Sequence, residues 1–226
     1  MGIGAATGAG LALLWLGISG PPAAKVPVAF PHPLITEVLY AVPRGEGDAN
    51  GDGSSHSSGD EFIELVNPHD RSINLGGYVL SDRNAGGRGE FRFVFPKLKV
   101  PPGGVVVVFN GNGQTFSGPV GTSKRAPSGT NEAFHGAAVF TAQVKSRSVA
   151  LANAGDWVLL SDPKGRPIQC VWWGTMDRAL PKGVRLMEQA PTTSSGSVQR
   201  ASVAGAFKAH TDLDGRRFSP GQFPIP

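Results

Sequence analysis

Asp48, Asn50 and Asp52 alternate along "DANGDG" (residues 48–53), and Gly53 follows the third of them. Short oxygen-bearing side chains at every second position, with a glycine that lets the backbone bend tightly, make the first half of a calcium loop. Hard oxygen donors suit Ca²⁺ better than zinc or copper. The second half departs from the helix–loop–helix pattern. Counting Asp48 as position 1, Ser54 falls at 7, His56 at 9 and Gly59 at 12, where a bidentate Glu should close the loop. Asp60 and Glu61 come one and two residues late, and Pro43 and a strand-like run bracket the segment instead of helices. That excludes an EF-hand. It leaves a wider calcium loop with Asp48, Asn50, Asp52 and either Asp60 or Glu61. A solvated acidic loop or a site for another cation fits the same residues.

Strand geometry limits which acids can converge. In Glu61–Val66 the side chains alternate faces. Glu61, Ile63 and Leu65 point one way and Phe62, Glu64 and Val66 the other, so Glu61 and Glu64 cannot share one ion. Glu37 shares a face with Ile35 and Leu39 in "LITEVLY" (34–40). If the two strands pair, Glu37 and Glu64 become neighbours, and two close carboxylates without a cation repel and raise a pKa. Arg71 or Arg92 is the expected partner.

The elements that must hold these residues read as β-strands. "LITEVLY", "EFIELVN" (61–67), Tyr78–Ser81, "FRFVF" (91–95), "VVVVFN" (105–110), "SVALANAGDWVLLSDPKGRPIQCVWW" (148–173) and "SVQRA" (197–201) are short apolar runs cut by Gly and Pro. "PPGG" (101–104) and "DPKG" (162–165) are turn sequences. Residues 111–136 are a long Gly-, Ser- and Asn-rich excursion, and "LDGRRFSPGQFPIP" ends the chain without repetitive structure. No amphipathic helix stands out. The spacing predicts an all-β protein, a β-sandwich. Adjacent Trp172 and Trp173 must face opposite ways in a strand. One belongs in the core; the other packs under the 111–147 excursion, or stacks on a ligand such as a sugar.

Composition narrows the function. The 226 residues carry 21 basic and 17 acidic side chains, net +4, with Gly 32 and Pro 19. This charge does not demand nucleic acid, and the densest basic groups, "RNAGGRGEFR" (83–92) and "GRR" (215–217), are short. A single cysteine, Cys170 in "PIQCVWW", allows no internal disulfide and reads as a buried hydrophobe. "AATGAGLALLWLGISG" (5–20) is apolar, uncharged and ended by Pro21-Pro22. It reads as a signal peptide over residues 1–24 with its basic n-region missing, the alternative being a disordered N-terminus. Residues 25–33 read as a linker. Export of a disulfide-free domain points to a bacterial source and to a secreted, periplasmic or surface location, with no transmembrane anchor in the mature chain.

Other chemistry is absent from the motifs. His32, His56, His69, His135 and His210 have no zinc spacing, and there is no HExxH or GxSxG. "SDPK" (161–164) fits SxxK only by coincidence in a hairpin turn.

Several blocks together resemble the lamin tail domain: "LITEVLY", "DEFIELVNPHDRSINLGGYVLSD", "FVFPKLKVPPGGVVVVFNG", "LANAGDWVLLSDPKGRPIQCVWW", then "SVQRA" and "SPGQFP". The resemblance covers residues 34–224. It implies an immunoglobulin-like β-sandwich, a binding or scaffolding module without established catalytic residues, found in nuclear lamins and in many bacterial exported proteins. The expectation is therefore a non-catalytic exported module, stabilised by Ca²⁺, that binds a protein or surface polymer. Two alternatives stay open. A metal-dependent phosphate-ester hydrolase would need Glu37, Glu61 and Glu64 to converge in a pocket. A binder of nucleic acid or acidic polysaccharide would use Arg83, Arg88, Arg92, Arg216 and Arg217.

Overall fold

The structure is a computed structural model that describes residues 1–2, 26–83, 91–142, 151–175 and 179–224. The apolar leader at 5–20, Arg88 and the start of "SVALA" lie outside the described residues. Strands run in the order β1 (Leu34–Ala41), β2 (Phe62–Val66), β3 (Ile73–Asn74), β4 (Val79–Asp82), β5 (Arg92–Val94), β6 (Lys99–Val100) and β7 (Val105–Phe109). They continue as β8 (Val120–Gly121), β9 (Ala138–Thr141), β10 (Gly155–Ser161), β11 (Pro167–Gly174), β12 (Leu186–Gln189), β13 (Gly196–Arg200) and β14 (Phe207–Ala209). A 3₁₀ turn at Glu132–Phe134 and a single-turn helix, α1 (Thr211–Asp214), are the helical pieces among the described residues.

Two sheets face each other, as the turn spacing predicts. One has seven strands in the order β14-β13-β1-β2-β7-β9-β8; the other has five, β12-β11-β10-β4-β5. A small β3–β6 ladder flanks them. Alternation on β2 sends Ile63 and Leu65 inward, where they meet Leu80, Val158, Val171 and Trp173 of the other sheet in the main core. Trp173 is fully buried there and stacks on Tyr40, with ring centroids 4.2 Å apart and planes 7° apart.

The strand β1 does not alternate regularly. Its register with β2 pairs Ile35 with Leu65 and then Glu37 with Glu64, so Thr36 is an extra residue, a β-bulge. The bulge puts Ile35 and Val38 on the core side, and Leu39 in a second cluster on the back of the sheet. Glu37 thus does not share a face with Ile35, as regular alternation predicts. The backbone groups freed at Ile35 are taken by side chains: its N–H donates to Gln169 Oε1 at 2.7 Å, and its carbonyl accepts from Arg200 Nε at 3.0 Å. Gln169 Nε2 and Arg200 Nη2 both donate to Glu188. These bonds tie β1 and β13 to β11 and β12 of the facing sheet, and they account for a fully buried arginine.

The back of the seven-stranded sheet carries that second cluster, which includes Leu39, Phe62, Val107, Phe109 and Val139. The long excursion covers it: Phe116 and Phe134 pack on Phe109 with centroids 5.3 and 5.4 Å away. The excursion also returns as β9, which pairs parallel with β7 and β8. The closing residues 215–224 form a strap over the same face, with Phe218 against the second cluster and Phe223 in a third cluster with Val28, Leu34 and Val66. Residues 26–33, read as a linker, are packed down. Val28 is buried and His32 Nδ1 bonds the Tyr78 hydroxyl at 2.8 Å.

Trp172 is not under the described part of the excursion, residues 111–142; residues 143–147 lie outside the described residues. Trp172 lies on the outer face of the five-stranded sheet, opposite Trp157 of β10. The described part of the excursion covers the back of the seven-stranded sheet instead, which is why it does not meet Trp172.

Candidate calcium loop and the buried carboxylates

The chain between β1 and β2 winds around its own acids. Asp48 Oδ1 accepts from the Asp52 N–H at 3.0 Å and Oδ2 from the Gly53 N–H at 2.8 Å. Asn50 Oδ1 accepts from Asp52 N–H at 2.9 Å, and Asp52 Oδ1 from Ser54 N–H at 2.9 Å. Gly53 adopts φ +90°, the left-handed bend that the glycine permits. The excursion reaches in from the side: Thr115 N–H donates to Asp52 Oδ2 at 3.0 Å, and Asn50 Nδ2 donates to Gln114 Oε1 at 2.5 Å.

Asp60 closes the loop from within. Its Oδ1 accepts from Asn50 N–H at 3.1 Å and its Oδ2 from His56 N–H at 2.7 Å. Burial raises its pKa to about 6, against the backbone N–H groups of His56, Asn50 and Ala49, which pull it down. Asp48, Asn50, Asp52 and Asp60 are therefore brought into one hydrogen-bonded loop.

Glu61 turns elsewhere. Its Oε2 accepts from Asn110 Nδ2 at 3.2 Å and from Leu151 N–H at 3.1 Å. Burial holds its carboxyl well above the usual range; the Leu151 and Asn110 donors oppose this, and Asp156 and Asp82 add to it. Asp156 is raised too, mainly by burial, although it caps the turn before β10 by accepting from Ala152 N–H at 2.8 Å. Among the described residues, no three His, Cys, Asp or Glu side chains come together as a group able to hold a metal ion. A cation in the 48–60 loop would therefore rely on Asn50 and on backbone carbonyls beside Asp48 and Asp52.

Glu37 and Glu64 meet, as pairing of their strands requires, but their partners are not arginines. Arg71 pairs with exposed Asp70 at 3.8 Å and lies over the Phe30 ring at 3.9 Å. Glu37 Oε1 instead accepts from Ser197 Oγ at 2.5 Å, Ser219 N–H at 3.0 Å and His210 Nδ1 at 3.1 Å. Its Oε2 accepts from Gln199 Nε2 at 3.1 Å and Ser219 Oγ at 3.3 Å. Glu64 accepts from Thr36 Oγ1 at 2.7 Å and from Gly221 N–H at 2.8 Å. The sequence carries a signal for two of these donors: Ser197 and Gln199 alternate on one face of β13, and Gln199 is the residue opposite Glu37. Ser219 and Gly221 come from the strap and leave no such pattern.

The three acids of the hydrolase reading therefore sit in two places, and all three are buried. The arginines of the polymer reading are also divided. Arg83 approaches Asp156 at 3.7 Å, and Arg92 is on β5 of the five-stranded sheet. Arg216 pairs with Asp214 at 2.6 Å and Arg217 with Glu46 at 3.0 Å, both in the strap.

No curated protein matches this chain. A family model described as the Lamin Tail Domain matches residues 31–175, from the residues just before β1 through β11. The matched span holds most of the main-core residues of both sheets; β12–β14 and the strap lie beyond it, with Ala190, Val198 and Phe207 completing that core from outside the span. It takes in well over half of the 226 residues, and on that ground the chain belongs to the lamin tail domain family.

Proposed function

We propose that this chain is a non-catalytic, exported module that binds or scaffolds at a surface, with the Asp48–Asp60 loop taking up Ca²⁺. The observation that carries the reading is how the acids are used. Glu37 and Glu64 fasten the strap to the sheet, and Glu61 fastens the turn before β10, each through hydrogen bonds in the interior. A catalytic carboxylate must reach a substrate proton or a metal-bound water. These three point into packed protein. Asp48 and Asp52, in contrast, are half-buried in a turn at the surface, with buried Asp60 beneath them, and extracellular modules bind calcium in the range of about 10⁻⁴–10⁻³ M. Export rests on the apolar, uncharged leader at residues 5–20. No helix among the described residues is long and apolar enough to cross a membrane.

The test is co-sedimentation of the purified chain with cell-envelope material in calcium and in EDTA, beside a bis-p-nitrophenyl phosphate assay under the same conditions. Calcium-reinforced co-sedimentation without turnover carries the reading. Phosphodiester turnover that Glu61→Gln abolishes overturns it.

A further inference from the structure

A cleft of about 270 Å³ opens between the 48–53 turn, the 3₁₀ turn and the strap. It is small for a drug-sized ligand. Phe134 and Phe218 give it apolar wall, and Asp48, His135, Arg216 and Gln222 give it polar rim. Three of the polar residues are already strung together. Arg216 Nη1 donates to Gln222 Oε1, and Gln222 Nε2 donates to His135 Nε2 at 2.5 Å, which makes that ring nitrogen the acceptor. The cleft thus joins three chain segments, and its shape depends on the strap staying down.

His135 is the odd residue. It caps the 3₁₀ turn in the left-handed region at φ 53°, the one described non-glycine residue with positive φ. Glycine is the ordinary residue there, and the next position, Gly136, is itself glycine at φ +81°. The His135 side chain is exposed, so its packing does not explain its presence. A strained residue at the rim of a cleft is a reason to look for a ligand.

We infer that this cleft binds one neutral sugar residue of a polysaccharide. The charge balance argues against a charged ligand. Arg216 is held by Asp214 at 2.6 Å, and Asp48 is a second acid on the wall. The rim mixes an acceptor (Asp48) with donors (Arg216, Gln222); the His135 Nε2 lone pair is taken by Gln222, which leaves that ring its Nδ1 N–H as a donor. A sugar hydroxyl donates and accepts at once, so it satisfies such a rim without an ion pair. The half-buried Phe218 side chain, backed by buried Phe134, supplies the apolar surface on which the C–H face of a pyranose packs. The inference rests on the binding-module reading and names the chemistry that the module would recognise.

The experiment is saturation-transfer NMR and calorimetry on the whole chain with the methyl glycosides of glucose, mannose, galactose and N-acetylglucosamine, and with methyl glucuronide as the charged comparator. At least one neutral glycoside should saturate in the millimolar range. His135→Gly relieves the left-handed strain, so it should keep or raise the melting temperature while weakening binding tenfold or more. Arg216→Ala should weaken binding to a similar degree with the melting temperature unchanged. Binding that survives His135→Gly, tighter binding of methyl glucuronide, or loss with Trp172→Phe in place of His135→Gly overturns the site. Absence of saturation by every neutral glycoside overturns it too; if co-sedimentation with envelope material persists in that case, the module reading stands without the sugar.

Discussion

Glu37 and Glu64 lie directly opposite each other across β1 and β2, and neither exposes any surface. Five donor contacts converge on Glu37 and two on Glu64. Burial, then the neighbouring Glu37 charge, pushes the Glu64 carboxyl well above the usual range. That shift favours the protonated form of Glu64. The Thr36 hydroxyl can turn to accept that proton, while the other oxygen keeps the Gly221 N–H.

A glutamine at position 64 copies the protonated acid: its amide N–H faces Thr36 and its carbonyl faces Gly221. A group whose folded pKa is raised contributes stability that is complete below its unfolded pKa and is lost as pH rises through the folded value. The wild-type melting temperature should therefore fall between pH 5 and pH 8, and Glu64→Gln should flatten that fall. A gain of about 1 kcal/mol at pH 8 corresponds to roughly 2–4 °C for a chain of this length. Glu37→Gln should do the opposite, costing about 2–4 kcal/mol because several donors are left facing an amide N–H. Thermal melts of both variants at the two pH values check the asymmetry. Equal losses in both would show that the pair carries no shared proton.

The strand pattern made most of this legible in advance. Period-two alternation placed Ile63 and Leu65 inside and Phe62 and Glu64 on the other face, and pairing of β1 with β2 brought Glu37 to Glu64. The bulge at Thr36 was hidden because nothing in "LITEVLY" differs from a regular strand; it is set by Gln169 and Arg200, side chains far away in sequence. The clamp on the glutamates was hidden for a related reason. A charged residue in an apolar strand points to an arginine partner, whereas Ser219 and Gly221 supply backbone N–H groups, which every residue type carries. The excursion was legible as long and polar. Its role as a cover depends on Phe116 and Phe134, two isolated aromatics with no period.

The adjacent tryptophans should separate cleanly in stability. Trp173 stacks on Tyr40 in the main core, and its Nε1 donates to the Ala152 carbonyl at 3.0 Å. Trp173→Ala should cost about 3–5 kcal/mol, the range for emptying an aromatic core site. Trp172 pairs across strands with Trp157 on the outer face, where such a pair contributes about 0.2–1 kcal/mol. Denaturant titration of the two alanine variants checks the ranking, and a reversed order would mean the sheet faces are misassigned.

Calcium affinity should depend on pH through Asp60. Its pKa of about 6 comes chiefly from burial, so the acid is ionised at pH 7.5 and largely protonated at pH 5.0. A cation in the loop favours the ionised form, and binding then releases a proton. Calorimetry should show affinity about tenfold weaker at pH 5.0 than at pH 7.5. At pH 7.5, calcium at ten times its Kd should stabilise the fold by roughly 1.4 kcal/mol over EDTA. Asp52→Ala should erase the calcium effect, and a melting curve indifferent to calcium would leave the loop as a hydrogen-bonded turn alone.

The strap should depend on Gly221 more than on any other glycine of the tail. At φ +91° it is already in glycine territory, and a Cβ there would stand 2.2 Å from the Phe134 carbonyl oxygen and 2.8 Å from its carbon. Backbone on both sides leaves no flexible atom to move aside, so Gly221→Ala must lift the strap from the 3₁₀ turn and break the Gly221 N–H bond to Glu64. The loss should reach about 2–4 kcal/mol, adding left-handed strain to an unpaired buried carboxyl oxygen. Gly113→Ala is the control: its φ is +70°, with nothing within 4 Å of the added carbon, so it carries the backbone strain alone. Limited trypsin digestion reads the difference, because Arg216 and Arg217 sit at the start of the strap with part of each side chain in solvent. Gly221→Ala should be cut there much faster than wild type, and Gly113→Ala should not.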